Sequence, residues 1–145
     1  MYTEVTQETL DLFNQIITSN PVIPGFLNYT ILNTTKSKTE IVSIKKSDDL
    51  QKHLSSYDFV ILLNEDLFIK LNPLQQEILA VEITSQIHYD YQKGVLKLQS
   101  GDVDTFKSVL NKYGNKDYFE TKELVELLFQ QLKDKQTPAG VTAIV

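Results

Sequence analysis

An α+β fold, with a small, mostly antiparallel sheet packed by helices and an extra C-terminal helix, is predicted by three features of the sequence. Four segments place apolar residues at spacings of three and four, the mark of one buried helical face. Between them lie short runs rich in β-branched and aromatic residues, enough for three to five strands. No repeat and no linker divides the 145 residues, so one core is expected, with residues 1–135 as a single domain and 136–145 as a tail.

The first helix is expected over Thr6 to Ser19, where Leu10, Phe13, Ile16 and Ile17 form one stripe. Asn20-Pro21 and Pro24-Gly25 then stop it, because proline lacks a donor and disfavours helical geometry in the residue before it. FLNYTILNTT and TEIVSIK, on either side of Lys36-Ser37-Lys38, are predicted to form an antiparallel pair. Ser47-Asp48-Asp49 can cap a short helix through His53 or Leu54. Phe59 to Leu63 is a continuous apolar run of strand length, which predicts burial on both faces.

Asn72-Pro73 opens what is expected to be the longest helix, about Pro73 to Ile87, with proline at its first position where the missing N–H costs nothing. Tyr89 to Leu98 alternates and contains Lys93-Gly94, which predicts a hairpin. Asp102 is expected to cap a helix carrying Val103, Phe106, Val109, Leu110 and Tyr113, with Gly114 as its stop. A last helix is expected over Glu120 to Lys133, with Leu124, Leu127, Leu128 and Leu132 inward. The closing TPAGVTAIV has no charged side chain and fits either a frayed tail or a strand that docks on this domain or on a partner.

Composition removes several classes of function. With 14 Lys+Arg against 19 Asp+Glu, the net charge of −5 opposes the phosphate neutralisation of a direct nucleic-acid binder. The absence of cysteine removes disulfides, thiolate metal sites and cysteine nucleophiles, and fits a cytoplasmic location. MYTEVTQETLDLF carries acids where a secretory signal carries basic residues, and no apolar run approaches the roughly 18 residues of a membrane span. No glycine-rich phosphate loop and no G-x-S-x-G elbow occurs. A Ser–His dyad using His53 or His88 is permitted only on paper.

The one stretch with a metal-like pattern is Glu82 to Asp90, EITSQIHYD. Catalytic zinc usually takes three His or carboxylate ligands plus water, often with two ligands one helical turn apart. Glu82 and Gln86 have that spacing, but an amide is a poor zinc ligand. His88 and Asp90 would share one side of a strand, either as a metal pair with Glu82 or simply as the solvated side of a hairpin.

A longer pattern gives this stretch a context. The strand YDFVILLNEDLF, the helix opening LNPLQQEIL, a short hairpin, GDVDTF and a helix ending in NKYG follow one another in an order that resembles the putative phage metallopeptidase family, a zincin-like group. The likeness spans about Asn28 to Gly114. In that family a strand ending in an Asn-acid pair leads to a turn rich in Gln and Glu. A helix with H-E-x-x-H follows, then a hairpin, then a histidine before Asp-Val-acid-acid-Phe.

Carried over residue by residue, the resemblance places the first ligand histidine at Glu82, the general-base glutamate at Ile83, the second histidine at Gln86 and the third at Gly101. All four positions are altered. Ile83 cannot accept a proton and Gly101 offers no side chain, so the resemblance implies a zincin-like scaffold that has lost its zinc and its peptidase chemistry.

The function expected on these grounds is that of a non-catalytic, phage-encoded module, without cofactor, that binds a host enzyme, a phage assembly or a second copy of itself. Its candidate contacts are the aromatics Tyr89, Tyr91, Tyr113, Tyr118 and Phe119 and the apolar end with Val141, Ile144 and Val145. No membrane contact is expected. The alternative is a metal-dependent hydrolase with a rearranged site drawn from Glu82, His88, Asp90 or Asp102. DNA mimicry ranks last, since the acids are scattered and the densest pairs are Asp48-Asp49 and Glu65-Asp66.

Overall fold

The computed structural model describes residues 2–35, 40–98 and 112–144, with side chains through 133. Its elements are β1 (Tyr2–Glu4), α1 (Gln7–Ser19), β2 (Tyr29–Thr34), β3 (Val42–Lys46), α2 (Asp49–Ser55) and β4 (Phe59–Leu63), followed by α3 (Glu65–Phe68), α4 (Pro73–Thr84), β5 (Ile87–Asp90), β6 (Val95–Leu98) and α5 (Asn115–Ile144). This is the expected α+β class: a four-stranded sheet ordered β1-β2-β4-β3, a separate β5-β6 hairpin, and helices packed around them. Among the described residues, no helix is long and apolar enough to cross a membrane.

The sheet corrects one expectation. β2 and β3 are not partners: β4 lies between them, parallel to β2 (Ile31 opposite Ile61) and antiparallel to β3 (Ile44 opposite Ile61). The reason is burial. Phe59, Ile61, Leu62 and Leu63 are all buried, and only the middle of a sheet covers both faces of a five-residue apolar strand. β1, which the sequence reading left without an element, closes the other edge antiparallel to β2. Phe13 and Ile17 of α1, Leu67 and Phe68 of α3, Leu79 and Ala80 of α4, and Val125 and Leu128 of α5 complete the core.

Two helix ends differ from expectation. α4 stops at Thr84, and Ile87 belongs to β5. At this end Thr84 Oγ1 donates to the Ala80 carbonyl at 2.9 Å and Ser85 Oγ to the Val81 carbonyl at 2.6 Å, and the helical bonding gives out at Gln86, whose amide turns back to Ile83. α4 is therefore shorter than both α1 and α5. At its start, Asn72 and Gln75 form a reciprocal capping box ahead of Pro73.

Gly114, at φ +85°, separates the helical residues 112–113 from α5, a backbone angle that only glycine adopts without strain. α5 begins at Asn115 and runs to Ile144, so the backbone of the segment expected as a frayed tail or strand is helical. Its buried stripe is Tyr118, Thr121, Val125 and Leu128, whereas Leu127 and Leu132, expected inward, are exposed. The helix expected from Asp102 lies mostly outside the described residues.

Candidate functional site

The C-terminal end of α4, β3 and the first turns of α5 enclose a cleft of about 280 Å³, open to solvent. Glu82, Ile83 and Gln86, three of the positions singled out in the sequence, all line it, joined by Glu40, Lys122 and Glu126. Gly101 lies outside the described residues. Gln86 reaches the cleft from the turn beyond α4 rather than from a continuing helix, so Glu82 and Gln86 are not the one-turn helical pair that their spacing suggested.

Glu82 already has a cation. Its Oε1 meets Lys122 Nζ at 2.8 Å, and the same ammonium lies 5.6 Å from the centre of the Tyr118 ring. Glu82 Oε2 is buried and makes no hydrogen bond of good geometry. The Tyr118 phenol nonetheless feels this carboxylate: burial first, then the charge of Glu82 and a hydrogen bond to it, push the phenol up to about 12. Ile83 presents only hydrocarbon. Glu40 and Glu126 line the cleft as well, but among the described residues no three carboxylate or imidazole side chains converge, and Glu82 is already bound to an ammonium, which does not match the three-ligand requirement of zinc.

The alternative trio of Glu82, His88 and Asp90 does not assemble, because among the described residues no three His, Asp or Glu side chains converge. Asp90 Oδ1 accepts from the amides of Gln92 and Lys93 at 3.0 and 3.1 Å, and Oδ2 faces Lys97 at 3.8 Å, so this carboxylate builds the hairpin turn. Gly94, at φ +65°, closes that turn through its amide to the Asp90 carbonyl. His88 stands opposite Lys97 across the hairpin, and its Nε2 is buried without a hydrogen-bond partner.

The five aromatic candidates form two groups. Tyr89 makes edge contacts with Tyr91 and with Phe26, at centroid distances of 5.0 and 5.1 Å, and Tyr91 and Phe26 are 71% and 60% exposed. Tyr118 and Tyr113 instead pack with Ile78, which removes Tyr118 from the contact surface, while Phe119 beside it is exposed. Val141 and Ile144 fall within α5, with side chains beyond those described, and Val145 lies outside the described residues.

Sequence reasoning missed Phe26 and Lys122. Phe26 opens the run FLNYTILNTT expected as a strand, but β2 begins only at Tyr29 and Phe26 sits in the turn before it. Lys122 follows the inward Thr121 on a stripe that was placed one register away, and its partner lies 40 residues earlier in the chain.

The Asn-acid pair at the end of β4 has a structural role. Asn64 caps α3 by accepting from the Leu67 amide at 3.3 Å, and its own amide donates to the Ile41 carbonyl at 2.8 Å. Glu65 crosses to the start of α1, where its carboxylate accepts from the Thr6 amide at 3.0 Å and the Thr6 hydroxyl at 2.9 Å. Burial pushes this carboxyl up, but the hydrogen bonds from Thr9 and Thr6 outweigh it and hold the group below the ordinary carboxylate range.

The chain matches the family described as Putative phage metallopeptidase over residues 2–131, and it belongs to that family. The match is wider than the stretch from Asn28 to Gly114 on which the resemblance was read, taking in β1, α1 and the first half of α5. No curated protein and no solved structure matches the chain.

Proposed function

We propose that this protein is a non-catalytic, phage-encoded interaction module, built on a degenerate metallopeptidase-like scaffold of zincin type, that binds a host or phage protein in the cytoplasm. One observation carries the proposal: in the cleft where the family's chemistry would reside, Glu82 is bonded to Lys122, and its neighbour Ile83 offers no proton acceptor. Activation of water for amide cleavage needs a base within reach and, in this family, a metal to lower the water's pKa. A group already neutralised by an ammonium serves neither role.

The exposed aromatic pair Phe26 and Tyr91 supplies the contact surface in this proposal, since large exposed rings are enriched at the energetic centres of interfaces. The net charge of −5 selects a basic protein surface as partner, chiefly by raising the association rate, and works against direct contact with nucleic acid. Affinity capture from phage-infected cells tests this directly. The wild type is expected to retain a defined partner that a Phe26→Ser/Tyr91→Ser variant loses, with both proteins equally folded by circular dichroism. Equal capture by the two proteins would remove these aromatics from the proposal.

One observation favours a second reading, a metal-dependent hydrolase around His88 and Asp90: the buried, unpartnered Nε2 of His88. Metal analysis of protein purified without chelator separates the two. A stoichiometric ion that is lost in His88→Ala would support the hydrolase.

A further inference from the structure

The Lys122–Glu82 pair joins the last turn of α4 to α5, with the two side chains 39% and 23% exposed and 2.8 Å between Nζ and Oε1. Tyr118, one turn earlier on α5, offers its ring face to the same ammonium at 5.6 Å. We infer that Lys122 is the resident cation of this cleft: its ammonium gives Glu82 the positive charge that a divalent ion would otherwise supply, and divalent ions do not bind there. The inference rests on the proposed origin of Glu82 as a former ligand position, and it adds the residue that took over the metal's electrostatic task.

Charge and donor chemistry both favour the ammonium. Glu40 and Glu126 line the cleft with Glu82, so with Lys122 the lining carries three carboxylates and one cation. Removing the lysine takes the positive charge away from Glu82 beside a partly apolar wall of Ile41, Val42, Leu79, Ile83 and Val125, which raises the energy of the ionised carboxylate. A divalent ion entering the intact cleft would have to displace a cation tethered to the same fold, which competes at a fixed effective concentration. It would find no imidazole in the lining, and among the described residues the carboxylates do not converge as a set of three, a poor site for zinc.

Thermal melting of the full chain tests the inference. Lys122→Met is expected to lower Tm by about 2–4 °C, as befits a pair that solvent partly screens. Added sodium chloride should recover part of that loss, because it screens the like charges left behind. Lys122→Arg should melt close to the wild type, and the double variant Glu82→Gln/Lys122→Met should regain most of what Lys122→Met loses. Excess zinc or manganese should leave wild-type melting unchanged.

A saturable metal-dependent rise in Tm that Glu82→Gln abolishes would overturn the inference, as would a Lys122→Met variant that melts like the wild type. Neither result depends on partner capture. A protein that captures its partner yet gains stability from zinc at Glu82 fails here alone, and one indifferent to zinc that captures nothing fails as an interaction module alone.

Discussion

Glu65 and Glu82 are both carboxylates set against the apolar body of this protein, and they are held by different means. Glu65 is nearly covered and takes neutral donors, the Thr6 amide and hydroxyl at the start of α1 with the Thr9 hydroxyl beside them. It acts as a cap contributed from across the fold, where the exposed amides of a helix start favour negative charge. Glu82 is half-buried and takes a full positive charge from Lys122. Hydrogen bonds from fixed backbone keep one carboxylate in a structural role, whereas the other is neutralised by a long side chain reaching in from the last helix. The first arrangement should be costly to break and sensitive to acid, the second cheaper and sensitive to salt.

The largest expected effect is at Glu65. Glu65→Ala removes the buried, charged acceptor of the Thr6 amide and hydroxyl and should cost about 1–3 kcal/mol, read from urea unfolding. Because its folded carboxyl titrates below the ordinary value of about 4.3, the stabilisation is fully present above that pH and is lost as the pH falls through the lower folded value. Glu65→Gln should therefore flatten the acid limb of the stability profile below about pH 4.3. An unchanged acid limb would mean that the Thr6 contacts do not hold the carboxylate.

At the cleft the effects are smaller and appear at the other end of the pH scale. The Tyr118 phenol, raised from 10.0 to about 12, favours the fold while it stays protonated. That contribution is whole below pH 10 and disappears as the pH rises through about 12. Tyr118→Phe should remove this alkaline step, measured by equilibrium unfolding across that range. The exposed pair gives the smallest effect on stability: Tyr91→Ser and Phe26→Ser should each stay within about 0.5 kcal/mol of the wild type while weakening partner capture.

Local chemistry made some elements legible in advance. The stripe of α1, the Asn72-Pro73 start of α4, the Asp48 cap of α2, the Lys93-Gly94 turn and the Gly114 stop are each written in a few neighbouring residues. β1 escaped because three exposed residues carry no periodicity, and the end of α4 because the apolar pattern continues without a break into Ile87 of β5. The α5 stripe was placed on Leu127 and Leu132, since leucines outrank Thr121 in any hydrophobic pattern, yet it is Thr121 that is fully buried, its hydroxyl satisfied by the Asp117 carbonyl at 2.7 Å.

The sequence by itself determined the α+β class, the position of the apolar strand and the lack of a histidine pair with helical ligand spacing, because composition and short-range spacing are properties of the chain before it folds. Only the tertiary structure decided that β4 separates β2 from β3, that Glu65 caps a helix far away in sequence, and that Lys122 neutralises Glu82. Each of these joins residues dozens of positions apart, and such contacts follow from which surfaces the core brings together rather than from any local preference of the chain.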